Sequence, residues 1–183
     1  MNDIRFPIGR FEPIGDQTDE GRRALIGEIP GLADQLRKLI AGLPPERLLI
    51  PYREGGWTIA QIVHHLADND MNAYLRFKRA LTEEEPLAGS YREDLWAELP
   101  DYGKLPPEHS LLLLETLHTR FAILLKNLKP ADFKRKLRTQ ALGSVTLDVA
   151  LQRFVWHNRH HRSQIETFLV RAISSQGKRG RSG

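Results

Sequence analysis

The residues best suited to chemistry in this 183-residue chain are histidines. There are seven, and five fall in two clusters, His64-His65 and His157, His160 and His161. On a helix, His157 and His161 stand four apart, one turn above the other on a single face. Two imidazoles at that spacing can share one metal ion. They also lie in an apolar stripe, between Phe154 and Ile165, where a polar ring needs a partner to be buried. A third imidazole from a facing helix would complete a three-histidine site with open positions for water or substrate. His64-His65 offers that third ring. His65 lies beside the Ile62–Leu66 stripe, but spacing alone leaves the choice between the two open. The bland reading is a set of hydrogen-bonded core histidines. Within the clusters, one neighbour of each adjacent pair sits about 100° around the helix from the other. His64 and His160 are therefore expected to face away, or to support the site or shuttle protons. His109 and His118 look isolated.

Much other chemistry is excluded. The chain has no cysteine, so disulfides, thiolate metal sites and cysteine nucleophiles are absent together. No serine sits in a nucleophile-elbow pattern. Gly55-Gly56-Trp57 lacks the spacing and the lysine of a phosphate cradle, so it reads as the turn into a helix, with Trp57 in the core. Asp68 and Asp70 read as solvated or supporting carboxylates. His160 or His64 is a candidate acid–base residue, and Arg162 or Arg159 a candidate anion contact. The net charge is +4, and the four basic residues after position 170 account for all of it. No basic face for specific nucleic-acid binding is expected. No stretch approaches the ~18 apolar residues of a membrane span. The first residues lack the apolar run of a signal peptide, and a cytoplasmic location is expected.

The elements that must position the histidines read as helices. Residues 1–17, with Pro7, Gly9, Pro13 and Gly15, suit an extended arm. Thr18 or Asp19 caps a helix that Pro30-Gly31 interrupts. After it Leu32, Leu36, Leu39, Ile40 and Leu43 keep helical spacing until Pro44-Pro45. Leu48–Tyr52 reads as an extended connector. Thr58 is the N-cap of a long helix from about Ile59 to Leu81. Residues 83–106 read as a loop pinned by Trp96 and Tyr102. Pro107 opens a third helix that ends at Lys129-Pro130. Residues 133–145 suggest a small hairpin or irregular loop. Ser144 or Thr146 then caps a fourth helix, about Leu147 to Ile173. The fold class is all-α, one four-helix bundle over 1–173 with long connections and an extended arm. Residues 174–183 are expected to form a disordered basic tail.

Several runs carry a resemblance. Tyr52-Arg53-Glu54-Gly55-Gly56-Trp57-Thr58, Gln61-Ile62-Val63-His64-His65-Leu66-Ala67-Asp68 and Trp156-His157-Asn158-Arg159-His160-His161-Arg162-Ser163-Gln164-Ile165 are similar to the signatures of the DinB-like superfamily. Within it the chain resembles the YfiT-type branch of metal-dependent hydrolases, related to bacillithiol S-transferases. The resemblance extends nearly to Ile173. It implies one divalent ion per chain, usually nickel or zinc, held by His65, His157 and His161, with His64 as the alternative to His65. It implies a cytoplasmic homodimer and a small-molecule substrate, and it places Gln164 near the site as support for a ligand. Activating water would give hydrolysis; binding a low-molecular-weight thiol would give S-transfer. The alternative is a non-catalytic metal-binding stress or sensor protein, or a structural dimeric bundle. One departure stands out. Where the family carries a His-Pro-Glu-like step before the last helix, this chain reads Arg138-Thr139-Gln140-Ala141-Leu142-Gly143. If that loop shapes the pocket, the family's substrate does not carry over.

Overall fold

The computed structural model describes residues 3–15, 17–140 and 143–179, and of 172–179 only the backbone. The first helical arm of the bundle is split. Helix α1 (Asp19–Glu28) is capped by Thr18, whose Oγ1 accepts from the Gly21 amide at 3.0 Å. Pro30 then tightens the backbone into a 3-10 turn, Ile29–Gly31, before α2 (Leu32–Ile40). The interruption keeps Ile29, Leu32, Ala33 and Leu36 buried on one side.

Helix α3 (Pro45–Leu48) is a single turn where the sequence suggested only a break and a connector. Its first position is proline, whose missing N–H costs nothing there. Helix α4 (Ile59–Thr82) begins with a reciprocal capping box. The Gln61 amide donates to Thr58 Oγ1 at 3.1 Å, and the Thr58 amide donates to Gln61 Oε1 at 3.0 Å.

The segment from 83 to 106, expected as loop, contains α5 (Glu93–Trp96) and α6 (Pro100–Lys104). Both are short enough that no apolar periodicity marks them in the sequence. The expected anchors do hold the segment. Trp96 packs on Tyr91 with ring centroids 4.4 Å apart, and the Tyr102 hydroxyl donates to Asp68 Oδ2 at 2.6 Å.

Helix α7 (Pro107–Lys126) follows. Strands β1 (Lys136–Thr139) and β2 (Gly143–Thr146) then pair antiparallel, with Leu137 opposite Val145. The backbone at Ala88 and Pro86 hydrogen-bonds Arg138, so the 83–92 segment lies along the hairpin. Helix α8 (Leu147–Arg179) closes the bundle. Its backbone continues past Ile173 into the segment read as a tail, and residues 180–183 lie outside the described residues. The N-terminal arm straps across α8. The Ile14 amide donates to Gln152 Oε1 at 2.8 Å, and Gln152 Nε2 returns a bond to the Ile14 carbonyl at 3.1 Å.

The apolar core has two parts. One gathers Phe77, Phe121 and Phe154, and the other gathers Ile62, Leu66, Leu114 and Ile165. Between them each long helix contributes a polar residue. Asp70 on α4 and His118 on α7 are fully buried, and Asn158 on α8 is 6% exposed. His118 Nε2 donates to Asp70 Oδ2 at 2.7 Å, and Asn158 Nδ2 donates to Asp70 Oδ2 at 3.0 Å. This corrects one sequence expectation, for His118, and removes one of the two readings of Asp70. Asp70 is not solvated and His118 is not isolated. Each gives the other a hydrogen-bond partner inside the bundle.

Candidate metal centre

Two helices position the histidines. On α4, His65 follows Ile62 by three and packs inward with it, 1% exposed. On α8, His157 and His161 occupy successive turns of the inward face. Their side-chain nitrogens converge. His157 Nε2 lies 3.4 Å from His65 Nε2 and 3.2 Å from His161 Nε2. One nitrogen from each of the three rings falls within 4.8 Å of the others. A tetrahedral ion with metal–nitrogen bonds of 2.0–2.1 Å needs neighbouring donors about 3.3–3.4 Å apart. The separations of this pair of contacts fit that requirement.

The donors have the charge state a metal needs. Burial pushes His65 down to about 4. Burial, and next the neighbouring imidazoles, hold His157 and His161 well below the usual histidine range. At neutral pH the three rings are uncharged, and a neutral imidazole has a lone pair to give. Three neutral rings packed this closely gain little from one another.

Surrounding groups orient the rings. His161 Nδ1–H donates to Gln164 Oε1 at 2.9 Å, which directs the Nε2 lone pair into the cluster. Gln164 is itself tied down, donating from Nε2 to the Arg5 carbonyl at 3.0 Å and to the Tyr52 hydroxyl at 3.1 Å. The Asn69 amide Nδ2 lies 3.2 Å from His157 Nδ1 and donates to Asp70 Oδ1 at 3.1 Å. A ring that uses Nε2 as a ligand carries its proton on Nδ1. Metal loading therefore calls for Asn69 to turn its oxygen toward His157. Trp57 is half-buried and lies over the cluster, its ring centroid 4.5 Å from that of His65 and 6.1 Å from that of His161.

The other candidates stand apart. His64 turns away, with Nδ1 2.8 Å from Ser110 Oγ and its ring against Tyr102. His160 stacks on Trp156 at 4.8 Å, with its Nε2 3.0 Å from Gln164 Nε2. Arg162 pairs with Glu166 at 3.1 Å and hydrogen-bonds Gln35. Arg159 Nε donates to Glu28 Oε2 at 3.0 Å. A cavity of about 460 Å³ opens beside His157. Neither His160 nor Arg162 lines it; Asn69, Arg76, Tyr91 and Arg153 do. Thr139 and Gln140 also line it, so the loop that departs from the family pattern does shape the pocket. The sequence reading passed over Arg76 and Arg153. Their spacing was available: Arg76 is seven residues after Asn69, and Arg153 is four before His157.

Comparison with known proteins bears on this arrangement. The profile of the DinB superfamily matches residues 31–165. The chain belongs to the DinB superfamily. A relative from Bacillus mycoides (strain KBAB4), named "Putative metal-dependent hydrolase", is 43% identical over 171 residues, covering 93% of this chain and 98% of that one. A relative of the same name from Bacillus cereus (strain ATCC 10987) is 44% identical with the same coverage. Among solved structures, YfiT from Bacillus subtilis superposes with a TM-score of 0.90 at 38% identity, over 92% of this chain and 97% of that one. YfiT is described as "a probable metal-dependent hydrolase with an unusual four-helix bundle topology". TT2238, a four-helix bundle protein, shares the fold at a TM-score of 0.57 and 17% identity. This DinB-superfamily chain is thus a four-helix bundle that carries a three-histidine cluster. No helix among its described residues is long and apolar enough to cross a membrane.

Proposed function

We propose that this protein is a metal-dependent enzyme, with one divalent ion held by His65, His157 and His161. The observation that carries the reading is the convergence of three neutral imidazole nitrogens, from two helices, beside an open cavity. A purely structural set of buried histidines needs hydrogen-bond partners. Here His65 Nδ1 has none, and its Nε2 faces another imidazole nitrogen. A divalent ion bound by three uncharged rings would supply a Lewis acid with its full charge, able to ionise water or an added thiol near neutral pH.

The chain's own residues have clear parts in this scheme. Gln164 fixes the tautomer of His161. Trp57 covers His65 and excludes water from that side. The cavity beside His157, within the size range of small-molecule pockets, holds the substrate. Hydrolysis is the reading supported by the names of the relatives. Thiol S-transfer is the second reading, favoured by the resemblance to bacillithiol S-transferases. The chain has no cysteine, so a transferred thiol would have to enter the cavity as a free co-substrate. We take nickel or zinc as the ion, a homodimer as the assembly and the cytoplasm as the setting, all on the strength of the resemblance.

The test is turnover by protein reloaded with zinc or nickel. One panel contains activated carboxylic and phosphate esters; the other pairs small thiols with an aryl halide. Turnover of either panel is expected to be lost in His157→Ala and after chelation. Turnover that survives both would overturn the metal-dependent reading. Loss of activity on esters with activity on thiol conjugation would select the transferase.

A further inference from the structure

Several arginines in this fold have carboxylate partners, as Arg22 has Asp148 and Arg37 has Glu115. Two arginines on the cavity wall do not. Arg76 is half-buried and donates from Nη2 to the Gly89 carbonyl at 2.6 Å. Arg153, on the facing helix, has no carboxylate within ion-pair distance among the described residues. Burial, and also the charge of Arg153, pushes Arg76 below the ordinary arginine range. Two like charges directed into one cavity without an anion between them cost energy. That cost is offset when a negative group enters.

A third donor waits at the same place. The Tyr91 hydroxyl is buried and has no hydrogen-bond partner, and Tyr91 lines the cavity. Burial pushes its ionisation up, so it stays an O–H donor. Glu93 also lines the cavity; it senses Arg153 without pairing to it. The rest of the wall is largely apolar, with Phe77, Leu137 and Val149 among its residues.

We propose that the cavity binds a small amphipathic anion. Its carboxylate or phosphate group is held between Arg76 and Arg153, with Tyr91 donating a further hydrogen bond, and its apolar body runs along Phe77, Leu137 and Val149 toward His157. Guanidinium groups suit both oxyanions, which accept two parallel N–H donors. The inference rests on the metal-dependent reading only for which end of the molecule reacts, because the anion-binding groups belong to the chain itself.

The experiment therefore uses metal-free, full-length protein and calorimetric titration. The probes are 4-phenylbutyrate, its neutral amide, and 3-phenylpropyl phosphate. At least one of the two anions is expected to bind at least about tenfold more tightly than the amide, a margin typical of a charge-assisted pair. The tighter of the two anions tells whether the natural ligand is a carboxylate or a phosphate ester. Arg153→Met and Arg76→Met are each expected to lose about tenfold of the anion affinity and leave amide affinity unchanged. Arg153 is exposed, so its variant is expected to keep the wild-type melting temperature. Equal binding of amide and anions, binding of none of the three, or an anion preference that survives in both variants would overturn the proposal. Anion preference in a protein that takes up no metal would leave this site standing and remove the metal-dependent reading.

Discussion

Replacing Asp70 by alanine removes the acceptor at the centre of the buried polar layer. The carboxylate receives His118 Nε2 at 2.7 Å, Asn158 Nδ2 at 3.0 Å and Asn69 Nδ2 at 3.1 Å. Asp70 and His118 are fully buried, so bulk solvent does not take over the lost bonds. Each donor left without an acceptor costs about 1–3 kcal/mol. Asn158 keeps a second bond to the Phe154 carbonyl at 3.2 Å, so the loss falls mainly on His118 and Asn69. Asp70→Ala is therefore expected to lose about 4 kcal/mol, or roughly 10 °C in Tm for a chain of this length. Asp94→Ala is the control. Asp94 pairs with Arg92 on the open surface, where solvent screening leaves such pairs with little effect on stability. The double variant Asp70→Leu with His118→Leu is expected to cost less than the sum of the single changes, because both halves of the pair leave together. Urea unfolding in the presence of a chelator measures the wild type, these variants and the Asp70→Leu and His118→Leu single variants without a contribution from bound metal. An Asp70→Ala cost below about 1 kcal/mol would refute the reasoning, since a satisfied buried network cannot lose its central acceptor so cheaply.

Three further expectations follow from the same geometry. In metal-free protein, His65 titrates at about 4 when folded and near 6.5 when unfolded. The unfolded chain then binds more protons between those values, so stability is full above about pH 6.5 and falls as pH drops toward 4. His65 alone accounts for about 3 kcal/mol of that loss; denaturation curves at pH 7.5, 5.5 and 4.5 measure it, and a flat profile contradicts it. Gln164→Leu removes the acceptor of His161 Nδ1–H and is expected to weaken metal binding by about 10–100-fold in a chelator competition, whereas unchanged affinity would deny the orienting role. Thr58→Ala breaks the capping box of α4 and is expected to cost about 1 kcal/mol in urea unfolding, with the cost absent if the cap contributes nothing.

Much of this arrangement can be read in the residues. The capping box at Thr58, the break at Pro30 and the stop at Pro130 mark three of the four bundle segments, because these residues act through local backbone chemistry. The pairing of His157 with His161 is equally local. The association of His65 with them is not local, and the choice between His65 and His64 needed either the packed helices or the resemblance. Asp70 and His118 show where pattern reading fails. Asp70 is four residues after Leu66 and three before Ala73; His118 is four after Leu114 and three before Phe121. Both thus stood on the apolar stripes. A carboxylate in a stripe reads as a break in it until a partner on another helix is known, and no spacing within one helix supplies that partner. Arg76 and Arg153 were obscured in the same way, since an arginine on a helix reads as surface unless a cavity lies in front of it. Helices α3, α5 and α6 are too short to show a period.

The central claim is that His65, His157 and His161 form a metal site. The direct measurement is elemental analysis of untagged protein, as isolated and after loading with zinc or nickel, beside the His157→Ala and His64→Ala variants. About one divalent ion per chain is expected in the wild type and in His64→Ala, with loss in His157→Ala. A wild-type protein that holds no metal and takes none up, or a His157→Ala variant that binds as much as the wild type, would contradict the account.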